Sequence, residues 1–116
     1  MYRLIISGEA YDDLKDVLNF AYTEFGEGQW NNYKNILDNA LRQLLNKPLI
    51  GRYREDLPQP YRALLAGLHV LIYRVQDETI YVIRILHQRM DFTYRFKGGT
   101  LNSLRNLQTP ILVNKQ

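Results

Sequence analysis

Residues 61–91 read YRALLAGLHVLIYRVQDETIYVIRILHQRMD. Two long apolar runs, 68–75 and 80–86, are joined by Gln76-Asp77-Glu78-Thr79. Runs this rich in Val, Ile, Leu and Tyr on either side of a short polar break predict an antiparallel hairpin. Residues 62–65, set off by Ala66-Gly67, predict a third strand. A loop of two or four residues places Ile72 opposite Ile83 and Leu71 opposite Arg84. Period-two alternation then divides the side chains between two faces. Leu68, Val70, Ile72, Tyr81, Ile83 and Ile85 share one face, with Arg74 and His87 at its ends, and this face is expected to meet helices. His69, Leu71, Tyr73, Val75, Ile80, Val82 and Leu86 share the other, with Arg84 among them. His69, Tyr73 and Arg84 thus form a cationic and aromatic patch on an apolar surface, the first place to look for function.

Upstream, residues 2–7 (YRLIIS) predict a short strand, and Ser7 is placed to cap a helix whose start is enriched in Glu9, Asp12 and Asp13. Ala10, Leu14, Val17, Leu18, Ala21, Tyr22 and Phe25 recur at helical spacing, so a helix is expected over 9–25, stopped by Gly26. A second stripe, Trp30, Tyr33, Leu37, Ala40, Leu41, Leu44 and Leu45, predicts a helix over 29–47 that Pro48 ends. A link of about three residues folds the two into an antiparallel pair. Residues 50–60 (IGRYREDLPQP) predict a polar surface loop with local ion pairs. The expected class is α+β, in the order β-α-α-β-β-β, with a helical hairpin packed on one face of an antiparallel sheet. One domain is expected over residues 1–96. Residues 97–116 form a tail that is unlike the rest and is set apart as disordered or foreign to the domain.

The chain has no cysteine, which rules out disulfides and thiolate metal sites, and two histidines are too few for a metal cluster. No apolar run is long enough to cross a membrane, and Met1-Tyr2-Arg3 leads directly into a strand pattern, so a cytoplasmic location is expected. Net charge is +3 but unevenly spread. Residues 1–51 hold five Lys or Arg against seven Asp or Glu, residues 52–97 hold eight against five, and residues 98–116 add two without an acid. A basic sheet half suits an acidic partner, protein or nucleic acid.

Gly26 and Gly28 carry no phosphate-binding fingerprint, so no cofactor is implied. Asp12, Asp13 and Asp16 read as the acidic first turns of a helix. The candidates that remain are Arg62, His69, Tyr73, Arg84, His87 and Arg89. Guanidinium forks suit phosphate or carboxylate, and a histidine beside them has the chemistry to cleave RNA as acid or base. A cation among Ile80, Val82 and Leu86 is costly unless Arg84 is paired or exposed.

These residues also carry a family likeness. Ala10, Asp13 and Leu14, then Leu44, Pro48 and Gly51, then Tyr61-Arg62, His69 and Ile72-Tyr73-Arg74 belong to it, and the ending Arg84-Ile85-Leu86-His87-Gln88-Arg89-Met90-Asp91 is its most specific part. Over about residues 1–92 the chain resembles the ParE/RelE superfamily of bacterial toxins, the ParE branch most closely. The resemblance implies a toxin of a type II toxin–antitoxin pair, neutralised by a cognate antitoxin and inhibiting DNA gyrase without catalysis of its own. RelE-like relatives cleave mRNA on the ribosome, and in that alternative His87, Arg89 and Tyr94 would be catalytic. A non-toxic protein-binding relative is the remaining alternative. Arg62 alone keeps a charge where those nucleases place basic residues, and Asp91 sets a carboxylate where RNA would bring phosphate. The likeness further implies an antitoxin segment, disordered until bound, along the helical hairpin and sheet edge, with Tyr22, Trp30, Tyr33 and Leu37 as its contacts. Homodimers or toxin–antitoxin hetero-oligomers are the expected assemblies.

Overall fold

The computed structural model describes residues 2–89 and the backbone of residues 111–113. Strand β1, Arg3–Ile6, runs into Ser7, whose hydroxyl accepts the Ala10 amide at 3.1 Å and so caps helix α1, Gly8–Phe25. Gly26 alone links α1 to helix α2, Glu27–Asn46, where the sequence suggested about three residues. Strands β2 (Arg62–Ala66), β3 (His69–Gln76) and β4 (Thr79–His87) form the meander. A further strand, β5 (Ile111–Val113), pairs antiparallel with β1. The sheet order is β2-β3-β4-β1-β5. The element order and the helical hairpin on one face are as expected. Because β1 lies parallel to β4, however, the sheet is mixed. Among the described residues no helix is long and apolar enough to cross a membrane. The boundary expected after residue 96 lies outside the described residues.

The hairpin register follows the expectation only near its turn. Gln76 faces Thr79 and Tyr73 faces Val82, but past a bulge Ile72 faces Arg84 and Leu71 faces Ile85. One extra residue in β4, Ile83, displaces the expected pairs of Ile72 with Ile83 and Leu71 with Arg84. A bulge of this kind reverses which parity of a strand faces which side. It therefore carries Ile85 to the helix face and Leu86 to the opposite one.

The helix face is also the reverse of the one expected. Tyr33, Leu37, Ala40, Leu41 and Leu44 of α2 pack with Leu4, Ile6, Leu71, Tyr73, Ile80, Val82 and Ile85, and Leu14, Val17 and Leu18 of α1 close over them. Val70, Ile72, Ile83 and Leu86 form a second cluster on the other face. That cluster is covered not by a helix but by Leu57 and Tyr61 at the end of the α2–β2 loop. Both faces of the hairpin are apolar, so alternation separates them without saying which one the helices take. The expected solvated loop is correspondingly half a lid. Arg52 bridges to Ala63 by hydrogen bonds of 2.9 and 2.8 Å, and Gly51, Leu57 and Tyr61 are buried.

Candidate functional site

The register of β3 and β4 sets His69 directly opposite His87, with ring centroids 5.3 Å apart. From α2, Tyr33 reaches this end of the sheet and its hydroxyl meets His69 Nδ1 at 2.6 Å. The same oxygen accepts the Leu68 amide at 2.8 Å and lies 3.3 Å from the Ala66 carbonyl. Gly67 makes this possible. Its φ of +63° is left-handed, and a Cβ there would stand 2.7 Å from the Tyr33 hydroxyl. From α1, Asp16, Val17, Phe20, Ala21 and Phe25 line a groove of about 320 Å³ whose other walls are Gln29, Tyr33, Leu68, His69 and His87. Phe20 and Phe25 lie 62% and 66% exposed, and their rings meet edge to face at 6.2 Å. Leu68 on the opposite lip is 55% exposed. Apolar side chains gathered this way around an open concavity mark a partner site.

Electrostatics at the groove are set by burial. Desolvation holds the His69 pKa below its ordinary value, the nearby His87 adds to this, and Asp13 opposes both. Burial also raises the Tyr33 pKa, against the hydrogen bonds it receives from the backbone. No set of three His, Cys, Asp or Glu side chains able to hold a metal occurs among the described residues.

The patch inferred from His69, Tyr73 and Arg84 is not brought together. Tyr73 is fully buried; its hydroxyl donates to the Pro48 carbonyl at 2.7 Å and accepts the Gly51 amide at 2.8 Å. A Cβ on Gly51 would lie 2.6 Å from that ring, so the close approach requires glycine. Arg84 is paired, as the sequence demanded, and its partner is Asp13 of α1. Asp13 Oδ2 accepts from Arg84 Nε at 2.8 Å and Oδ1 from Arg84 Nη2 at 3.0 Å. Oδ2 accepts the Ile85 amide as well, at 2.9 Å. Beyond Ile6, then, α1 replaces β1 as the neighbour of β4: Asp13 satisfies one backbone group and the Ser7 hydroxyl, donating to the Ile83 carbonyl at 2.9 Å, another.

Arg62 is turned inward to the loop. It donates to the Gly51 and Leu49 carbonyls at 2.9 and 3.4 Å and stacks over the Tyr53 ring at 4.2 Å. Arg89 is exposed beside His87, whose Nδ1 accepts the Arg89 amide at 3.1 Å. Tyr94 lies outside the described residues. Of the residues proposed for antitoxin contact, Tyr22 is exposed and meets Trp30 edge to face at 6.5 Å, whereas Tyr33 and Leu37 are core. The groove residues Val17, Phe20, Phe25 and Leu68 are not among the candidates that the sequence offers, and Val17 and Phe25 belong to the predicted apolar stripe of α1. Phe20 left a signal: it is an aromatic off the apolar stripe of α1, on the side that should be polar.

Three comparisons bear on this arrangement. A family model described as "ParE toxin of type II toxin-antitoxin system, parDE" matches residues 4–92. Proteins named Toxin ParE1 from two strains of Mycobacterium tuberculosis are 39% identical over 90 residues, covering 77% of this chain and 92% of theirs. Toxin ParE1 of Caulobacter vibrioides is 33% identical over 90 residues, covering 78% and 91%. A solved structure titled "Chromosomal ParDE TA system from P. aeruginosa" has the same fold, with a TM-score of 0.66 at 18% identity over 75% of this chain and 96% of that one.

Proposed function

The chain belongs to the ParE toxin family of type II toxin–antitoxin systems, and from that membership we propose that it acts in the cytoplasm by inhibiting DNA gyrase and is neutralised by an antitoxin segment seated in the aromatic groove. One observation carries the reading: Arg84 is committed to Asp13 while the Phe20–Phe25 surface is left uncovered. The cation that the sequence offered most directly to a phosphate is already bound to Asp13. Arg62 is spent on loop carbonyls, and Arg54 on Asp56. The groove that stays open is apolar and concave, which suits a protein helix more than an RNA backbone. Target recognition then falls to exposed groups such as Arg89, by affinity and not by covalent chemistry. A ribosome-dependent RNase is the second reading, and the adjacency of His69 and His87 is what favours it.

The test is purified protein with gyrase, supercoiled DNA and ATP, in parallel with ribosomes and mRNA. Stabilised double-strand breaks, abolished when the antitoxin is added, are the expected result. Cleavage of mRNA on the ribosome with gyrase untouched would overturn the reading. For the docking half, Phe20→Ala with Phe25→Ala should weaken antitoxin binding by roughly tenfold or more, since two exposed aromatic anchors are lost.

A further inference from the structure

Each imidazole at the floor of the groove has a polar neighbour at its Nδ1. The Tyr33 hydroxyl has one proton and has already accepted the Leu68 amide. His69 Nδ1 at 2.6 Å is a nearer acceptor for that proton than the Ala66 carbonyl at 3.3 Å. Of the two tautomers open to His69, the one that accepts at Nδ1 gives the Tyr33 hydroxyl this nearer acceptor. His87 also accepts at Nδ1, from the Arg89 amide at 3.1 Å. A proton added to His87 Nδ1 would set donor against donor. A proton on His69 Nδ1 would turn the Tyr33 hydroxyl to its longer contact with the Ala66 carbonyl and would set a charge 5.3 Å from the His87 ring.

The surrounding charges do not offset this. From α1, Asp13 faces His69 but is occupied by Arg84 of β4, and Asp16 lines the groove at an exposed position. From α2, Tyr33 meets His69 and Gln29 lines the groove, and beyond β4 the Arg89 amide meets His87 Nδ1. Burial already depresses the His69 pKa in the open groove. A segment lying over Phe20, Phe25 and Leu68 removes the remaining water from both rings and makes either charge costlier still.

We propose, resting on the antitoxin-docking reading above, that the groove is an acid-sensitive switch: the antitoxin segment binds the form with His69 and His87 both neutral, and protonating either ring releases it. Binding that excludes a proton loses up to about tenfold in affinity for each pH unit below the pKa of the free group.

The probe is the antitoxin encoded beside this gene, titrated calorimetrically into the full chain between about pH 8 and about pH 5.5, a range that spans the ordinary histidine pKa. The expected result is binding weakened roughly tenfold or more at the acid end, with proton release on binding there. The ratio should collapse towards one in a His69→Gln, His87→Gln double variant. Ring resonances of the unmodified chain give a readout that does not depend on that variant folding: both histidines should stay neutral to lower pH in the complex than in the free chain. Affinity that is flat or rises on acidification would overturn the proposal. So would a pH dependence that survives in the double variant, because the titrating groups would then be the antitoxin's own. If Phe20→Ala with Phe25→Ala leaves affinity unchanged at about pH 8, the docking reading itself falls, and the switch falls with it.

Discussion

Two buried tyrosines, Tyr73 and Tyr33, solve the same problem at opposite sides of the core. Each hydroxyl sits against a turn in which glycine is obligatory, Gly51 for Tyr73 and Gly67 for Tyr33, since an added Cβ would stand 2.6 and 2.7 Å from it. Each accepts a backbone amide, Gly51 at 2.8 Å and Leu68 at 2.8 Å. They differ in the hydroxyl's remaining partner. Tyr73 donates to the Pro48 carbonyl, which cannot titrate, and the loop seals that side. Tyr33 shares a 2.6 Å hydrogen bond with His69 Nδ1, which can titrate, beside a groove left open. One construction therefore fixes a loop permanently. The other ties a turn to a group whose state depends on its surroundings, and it does so where the surface is apolar and uncovered. Elements that respond to partners come from such less committed parts of a fold.

The sharpest way to break this contrast is to truncate one residue from each side. Tyr73→Ala should cost about 3–5 kcal/mol in urea denaturation, from the lost ring and the orphaned Gly51 amide. Phe20→Ala, equally aromatic but 62% exposed, should lie within about 0.5 kcal/mol of the parent. A large loss for Phe20→Ala would mean that the groove is core and not a docking surface.

Asp13→Asn comes next. Asp13 and Arg84 are only 14% and 17% exposed, and the aspartate also holds the Ile85 amide. Removing its charge takes the bidentate partner from a nearly buried guanidinium and leaves the Glu9 charge as partial compensation, at a cost of about 3 kcal/mol. Adding Arg84→Met should recover a good part of that loss. A double variant no better than Asp13→Asn alone would put the effect in the Ile85 hydrogen bond and not in the ion pair.

These two residues also show how far the sequence could be read. That Arg84 needed a partner followed from its apolar neighbours. Asp13 as that partner did not, because an acidic first turn of a helix already accounted for it. The helices, the meander and its turn were legible because their periods and breaks lie within a few residues of one another. The bulge at Ile83 was not, since one inserted residue leaves the composition of a strand unchanged while reversing its later side chains. Both hairpin faces are apolar, so nothing local named the one that meets α1 and α2. Of the site, His69 and His87 were found as titratable groups in a strand pattern. Their pairing, and the aromatic wall of Phe20 and Phe25, depend on contacts between elements far apart in the chain.

The smallest effect tests the tyrosine comparison most directly. The depressed pKa of His69 means that the folded chain binds fewer protons at this site than the unfolded chain between the lowered value and the ordinary one near about 6.5. The stabilisation from a neutral His69 is present above that ordinary value and is lost as pH falls through it towards the lowered one. Burial is the first cause of that lowered value. The loss should be local. Leu68 donates its amide to Tyr33, so its hydrogen-exchange protection, corrected for intrinsic rate, should fall as pH is lowered from about 8 to about 5.5. The Gly51 amide, held by Tyr73 with no histidine near it, should keep its protection over the same range. Equal losses at both amides would mean that acid acts on the whole fold. Equal retention would mean that His69 adapts to its proton without disturbing Tyr33, and the two tyrosines would then be the same device after all.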